Sequence, residues 1–198
     1  MMNKDLGRVI IPGYSIDSIE NFMSLRKPQK RSLSILESIL DEIDFRKGLN
    51  LDTAIFGIHD VYPTFTDFEH SFLSLTFALA TGVGKTKLMG AFIAYLYANK
   101  GVKNFFVVAP SITIYEKLKN DLGNPSPDNE KYVFKGIGCF ASQKPNVWFD
   151  DDYRNRPESA LTDSNSINIF IFNISKFNSE GRKMMSINEY LGQSFFDF

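Results

Sequence analysis

The run Phe77-Ala-Leu-Ala-Thr-Gly-Val-Gly-Lys-Thr86 constrains this chain more than any other stretch. Ahead of it Leu73, Leu75, Phe77 and Leu79 alternate as in a half-buried strand, and behind it Leu88, Met89, Phe92, Ile93 and Leu96 recur at helical spacing. A glycine-rich turn between strand and helix reads as a phosphate cradle. Gly82 and Gly84 reach backbone torsions that other residues adopt only with strain, so successive N–H groups can converge on one anion. Lys85 can then reach the β- and γ-phosphates, Thr86 can offer its hydroxyl to Mg2+, and the helix N-terminus adds partial positive charge. The candidate nucleotide residues are therefore Thr81, Gly82, Val83, Gly84, Lys85 and Thr86, with ATP and Mg2+ as ligands, Lys85 and Thr86 in the catalytic role and Thr86 at the metal. The general pattern G-x-x-x-x-G-K-[ST] puts its first glycine at position 79, where this chain has Leu79.

At 198 residues, 43% hydrophobic and 23% charged, the chain can bury one ordinary core. A net charge of −1 gives no global pull toward nucleic acid or anionic membrane, so any such contact has to come from a local groove. The single cysteine, Cys139, excludes an internal disulfide and fits a reducing cytoplasm; it reads as a small core residue. His59 and His70 read as surface or packing residues. No apolar run approaches the ~20 residues of a membrane span, and Asp5 and Arg8 interrupt the stretch where a signal peptide needs a continuous apolar region.

Along the chain, Leu33, Leu36, Ile39, Leu40 and Ile43 trace the stripe of a helix that follows Pro28 and runs to about Phe45. Residues 46–70 mix glycine, proline and aspartate with aromatics and read as loops with a short edge strand. After the phosphate loop and its helix, closed by Gly101, residues 104–110 form a buried parallel strand, making a right-handed βαβ unit. A second helix is expected over 111–122 on a stripe of Ile114, Leu118 and Leu122, then a third strand over 131–138. Residues 141–166 read as a polar surface excursion, 167–173 as another buried strand, and the rest as a polar loop and a short amphipathic helix. The fold expected is α/β of the P-loop NTPase kind, a parallel sheet flanked by helices; residues 1–70, a helix and loops, lead into it, and 71–198 form the nucleotide-binding domain.

The shorter form Ala80-Thr-Gly-Val-Gly-Lys-Thr86 resembles motif I of superfamily 2 helicases and translocases. Phe105-Phe-Val-Val-Ala-Pro-Ser-Ile-Thr-Ile-Tyr-Glu-Lys-Leu118 resembles motif Ia in the form found in the restriction subunit of type III restriction-modification enzymes, and Ile169-Phe-Ile-Phe-Asn-Ile-Ser-Lys-Phe177 stands where that family carries motif Ib. The resemblance implies a RecA-like sheet and an ATP-dependent motor segment of such a subunit, with 71–198 as an incomplete first motor domain and with duplex DNA and a modification methyltransferase as partners. It nominates Pro110, Ser111, Thr113, Asn173, Ser175 and Lys176 as contacts to the DNA backbone. Ser111 or Thr113 would also serve as a plain helix cap. Leu25-Arg-Lys-Pro-Gln-Lys-Arg31 is similar to the R-x-x-Q element over adenine in many superfamily 2 proteins, which makes Gln29 a candidate for the base edge.

A superfamily 2 ATPase also needs an apolar strand ending in Asp-Glu to hold Mg2+ and orient water. No such strand follows Thr86; Asp150, after Val147-Trp-Phe149, is a weak substitute. The chain is accordingly expected to be the front of a longer restriction endonuclease, one in which hydrolysis drives DNA translocation and cleavage. Another superfamily 2 DNA or RNA helicase, or a module that binds nucleotide or nucleic acid without hydrolysis, are the alternatives.

Overall fold

The computed structural model describes residues 14–43, 45, 48–142, 144–149 and 166–174. Its core is a three-stranded parallel sheet in the order β1-β3-β2, from β1 (Asn104–Ala109), β2 (Asn146–Trp148) and β3 (Asn168–Asn173). β3 is central and buried along its whole length, which suits its near-continuous apolar run. At the start of the strands the buried Asn168 amide donates to Asn104 Oδ1 at 3.0 Å and accepts from Trp148 Nε1 at 3.2 Å. Slipping the register by one residue would strand this amide, so the ladder pins the pairing of Asn104 and Asn146 with Asn168.

Helices α1 (Ile16–Phe22), α2 (Lys27–Glu42) and α4 (Lys85–Lys100) pack on one another, while α5 (Ile112–Gly123) lies across all three strands. One hydrophobic cluster runs from Ile16 through α2 and α4 to Ile171, so the described parts of 14–70 and 71–174 share a core. α2 begins at Lys27 with Pro28 in its first turn, and Leu33, Leu36, Ile39 and Leu40 form its buried stripe, as the periodicity predicts. α4 ends at Gly101, in left-handed conformation. β1 and β3 lie where the sequence places them. This small parallel sheet flanked by helices is compatible with a RecA-like fold.

Five expectations need correction. Residues 46–70 hold a helix, α3 (Leu51–Val61), capped by Asn50 Oδ1 accepting from the Thr53 N–H at 3.0 Å and buried through Ala54 and Ile58. Residues 73–80 carry no regular secondary structure; they half-bury Leu73, Leu75, Phe77 and Leu79, with Phe77 against Phe92 at 4.8 Å, but pair with no strand among the described residues, so the first βαβ unit is not formed. Residues 131–138 are successive turns rather than a strand. Val133, Phe134, Ile137 and Phe140 are buried at irregular spacing, and Gly136 has φ 84°. The excursion of 141–166 contains α6 (Cys139–Ser142) at its start and the paired strand β2; on α5, Tyr115 replaces Ile114 in the buried stripe.

Gly57 sits inside α3 where a Cβ would stand 2.7 Å from the Glu42 carbonyl oxygen at the end of α2. Alanine at an open helix position stabilises by about 1 kcal/mol over glycine. Here the clash reverses the sign, and Gly57→Ala should lower stability by about 1–2 kcal/mol, read as a fall of a few degrees in the melting temperature. A rise would mean the helices do not approach this closely.

Candidate phosphate site

Gly84 is the N-cap of α4 with φ 93°, and Gly82 precedes it at φ 79°. Both lie in the left-handed region that glycine enters freely. α4 therefore starts without a side-chain cap, has no acidic residue in its first turn and carries Lys85 and Lys87 there. Its first N–H groups and its dipole are left for an anion. Lys85 Nζ folds back onto the Ala80 carbonyl at 3.1 Å, closing the loop on itself. In front lies an open cleft of about 930 Å³ lined by Thr81, Gly82, Gly84, Lys85 and Thr86 on one side and by α5 and Tyr132 on the other.

The loop is held from behind. Gln29 is 1% exposed; its amide oxygen accepts from the Arg26 N–H at 2.7 Å and its amide nitrogen donates to the Gly84 carbonyl at 2.9 Å. Arg26 Nη1 donates to the Gly82 carbonyl at 3.3 Å. The residue singled out for adenine thus touches the phosphate loop directly, and a Cβ at position 84 would meet its amide nitrogen at 2.7 Å.

α5 brings up a group that motif reading passes over. Lys117 Nζ donates to Thr86 Oγ1 at 2.8 Å and to Asp121 Oδ2 at 2.5 Å. Asp121 is 5% exposed although charged. The i, i+4 spacing of a lysine and an aspartate was visible in the sequence, but nothing local tells that this face of the helix turns toward the loop.

Pro110, Ser111 and Thr113 are exposed where β1 passes into α5, and Ser111 Oγ caps the helix by accepting from the Ile114 N–H at 3.3 Å. Asn173 is the register partner of Ala109, so the ends of the two strands are neighbours, with the Asn173 side chain buried. Ser175, Lys176 and Asp150 lie outside the described residues. Among the described residues no group of three or more His, Cys, Asp or Glu could hold a metal ion, and no helix is long and apolar enough to cross a membrane. A metal at this site would rest on Thr86 and on phosphate oxygens, a donor set of hard oxygens that suits Mg2+.

A left-handed glycine turn feeding an uncapped helix with Lys-Thr at its start defines a phosphate-binding α/β domain of the P-loop kind. The family model for the type III restriction enzyme res subunit matches residues 22–198, and the chain belongs to that family, as a helicase-like ATP-binding domain. No curated protein and no solved structure matches it significantly.

Cys139 stands apart from this chemistry. Burial pushes its thiol up from the ordinary 9.0 to about 11, the opposite of what a nucleophile needs. Burial disfavours the thiolate, so the stability tied to this group is complete below the ordinary pKa and is lost as pH rises toward about 11. A disulfide reagent at pH 8 should react with the native chain about a hundredfold more slowly than with the denatured chain. Equal rates would show an open thiol.

Proposed function

We propose that this chain is the ATP-binding part of a DNA motor in a type III restriction endonuclease. Hydrolysis drives movement along duplex DNA and leads to cleavage in the full-length enzyme, with a modification methyltransferase as partner. The observation that carries the reading is the left-handed Gly84 turn opening into the uncapped, basic first turn of α4. Lys85 leaves the Ala80 carbonyl to take up β- and γ-phosphate oxygens, and the N–H groups of the first turn hold the same anion. Thr86 would offer its hydroxyl oxygen to a metal ion, which would supply charge neutralisation at the phosphates. Gln29 and Arg26 keep Gly82 and Gly84 in place; adenine recognition by the Gln29 amide requires one of its present bonds to open.

For DNA we assign the strand ends. Pro110, Ser111 and Thr113 are exposed beside the end of β3, where loops leaving the carboxyl ends of parallel strands lie along one edge, and α5, which starts there, reaches the phosphate loop through Lys117. Lys176 and Ser175 join them by their place in the sequence, and Asn173 supports the end of its strand from within.

Lys85→Ala removes a charge-assisted contact with an expected cost of about 1.5–3 kcal/mol. Titration with a fluorescent ATP analogue should show that loss, and equal affinity in wild type and variant would sink the phosphate reading. Duplex DNA binding should be indifferent to sequence and weaken steeply between two salt concentrations, because each neutralised phosphate releases counterions. Gel shifts should show the combined Thr113→Ala and Lys176→Ala variant binding more weakly with a shallower salt slope; unchanged affinity would place the groove elsewhere.

A further inference from the structure

Lys117 is a lysine with an unusual address. Its ammonium bridges two elements 31 residues apart in sequence by donating to the Thr86 hydroxyl oxygen at 2.8 Å, the atom that the phosphate reading assigns to a metal ion. It is aimed there by Asp121, one turn further along α5 and 2.5 Å from Nζ. Asp121 is itself fixed: its side chain is 7% exposed, its Oδ1 accepts from Asn120 Nδ2 at 3.2 Å, and its carbonyl accepts from the Val133 N–H at 2.9 Å. The Lys117 side chain is half exposed, so its four-carbon stem has room to swing.

We propose that Lys117, held by Asp121, is a built-in cation that occupies Thr86 until a divalent metal ion and nucleotide take its place. This inference rests on the phosphate reading of the loop and adds a positioning residue that discriminates nucleotide with metal from nucleotide without it. Mg2+ demands oxygen ligands at about 2.0–2.1 Å in a near-octahedral shell, and an ammonium on the same hydroxyl both crowds that shell and repels the ion. Lys117 has to release Thr86 Oγ1 for metal to bind, whereas metal-free nucleotide leaves it free to turn onto the phosphates as a point charge. Lys117 therefore helps metal-free binding and opposes metal binding. A residue with a merely structural role moves both in one direction.

The test titrates the fluorescent ATP analogue into the 198-residue chain in EDTA and in excess Mg2+, and measures the Mg2+ midpoint at saturating analogue. Lys117→Met should weaken binding in EDTA by about three- to tenfold and lower the Mg2+ midpoint, with affinity in excess Mg2+ unchanged or tighter. Asp121→Asn, which leaves the ammonium unneutralised, should tighten binding in EDTA and raise the midpoint. Lys117→Arg should restore wild-type behaviour in EDTA, which separates charge from folding. Parallel losses in both conditions for Lys117→Met, or no change in either, overturn the proposal while leaving the phosphate reading intact. A wild-type chain that binds in neither condition overturns both.

Discussion

One carbonyl oxygen organises the candidate site. Gly84 O accepts the first intrahelical bond of α4, from the Leu88 N–H at 3.1 Å, and also the amide of Gln29 at 2.9 Å. Using both lone pairs, it starts the helix and ties it to α2. The same pair of helices is joined at the far end, where Lys100 Nζ donates to the Leu40 carbonyl at 3.1 Å and to Asp41 at 2.7 Å. Two latches, start to start and end to end, mean that α2 and α4 run side by side in one direction, with the starts of both helices at the loop. The loop's open, left-handed shape is thus held by groups outside it, which is what an anion site needs if its N–H donors are to stay free.

The sheet imposes a second constraint. β3 carries a partner on each side, and the Asn104, Asn168 and Asn146 side chains join at the amino ends of all three strands. Fixing that end fixes the other: Ala109 and Asn173 finish level, so the chain leaves β1 and β3 at neighbouring points. Parallel pairing gives one edge of the sheet over to loops, and here the exposed 110–113 segment belongs to it.

How much was legible follows from where each signal resides. β1, β3, α2, α4 and the glycine turn before α4 were legible because their information is local: apolar runs, a 3.6-residue stripe, glycines before Lys-Thr. α3 was missed because Gly57 and the surrounding aspartates resemble a loop, although Asn50 with Ala54 and Ile58 was a readable cap and stripe. The glycine there answers a neighbour, the Glu42 carbonyl, that no window on the sequence contains. Residues 73–80 have the alternation of a strand because they half-bury Leu73, Leu75, Phe77 and Leu79, but alternation reports burial and says nothing of a hydrogen-bonded neighbour. Gln29 and Lys117 escaped in their actual contacts for the same reason, since each meets the loop across a long stretch of chain.

That distance in sequence gives α5 its mechanical meaning. The helix is capped by Ser111 beside the exposed strand end, and six residues later it carries Lys117 to Thr86. At 1.5 Å per residue the two points are about 9 Å apart along one rigid rod. Its opposite face, Tyr115, Leu118 and Leu122, is packed against the sheet, so α5 moves as a body rather than bending between them. If releasing Thr86 involves only the lysine stem, the strand end stays still and the exchange of Lys117 for metal is confined to the cleft. If the release draws on Asp121 as well, the rod itself shifts, because Asp121 is buried and bonded through its carbonyl to Val133. Ser111 and Thr113 then move with it, and the state of the phosphate site reaches the surface assigned to DNA through a single helix.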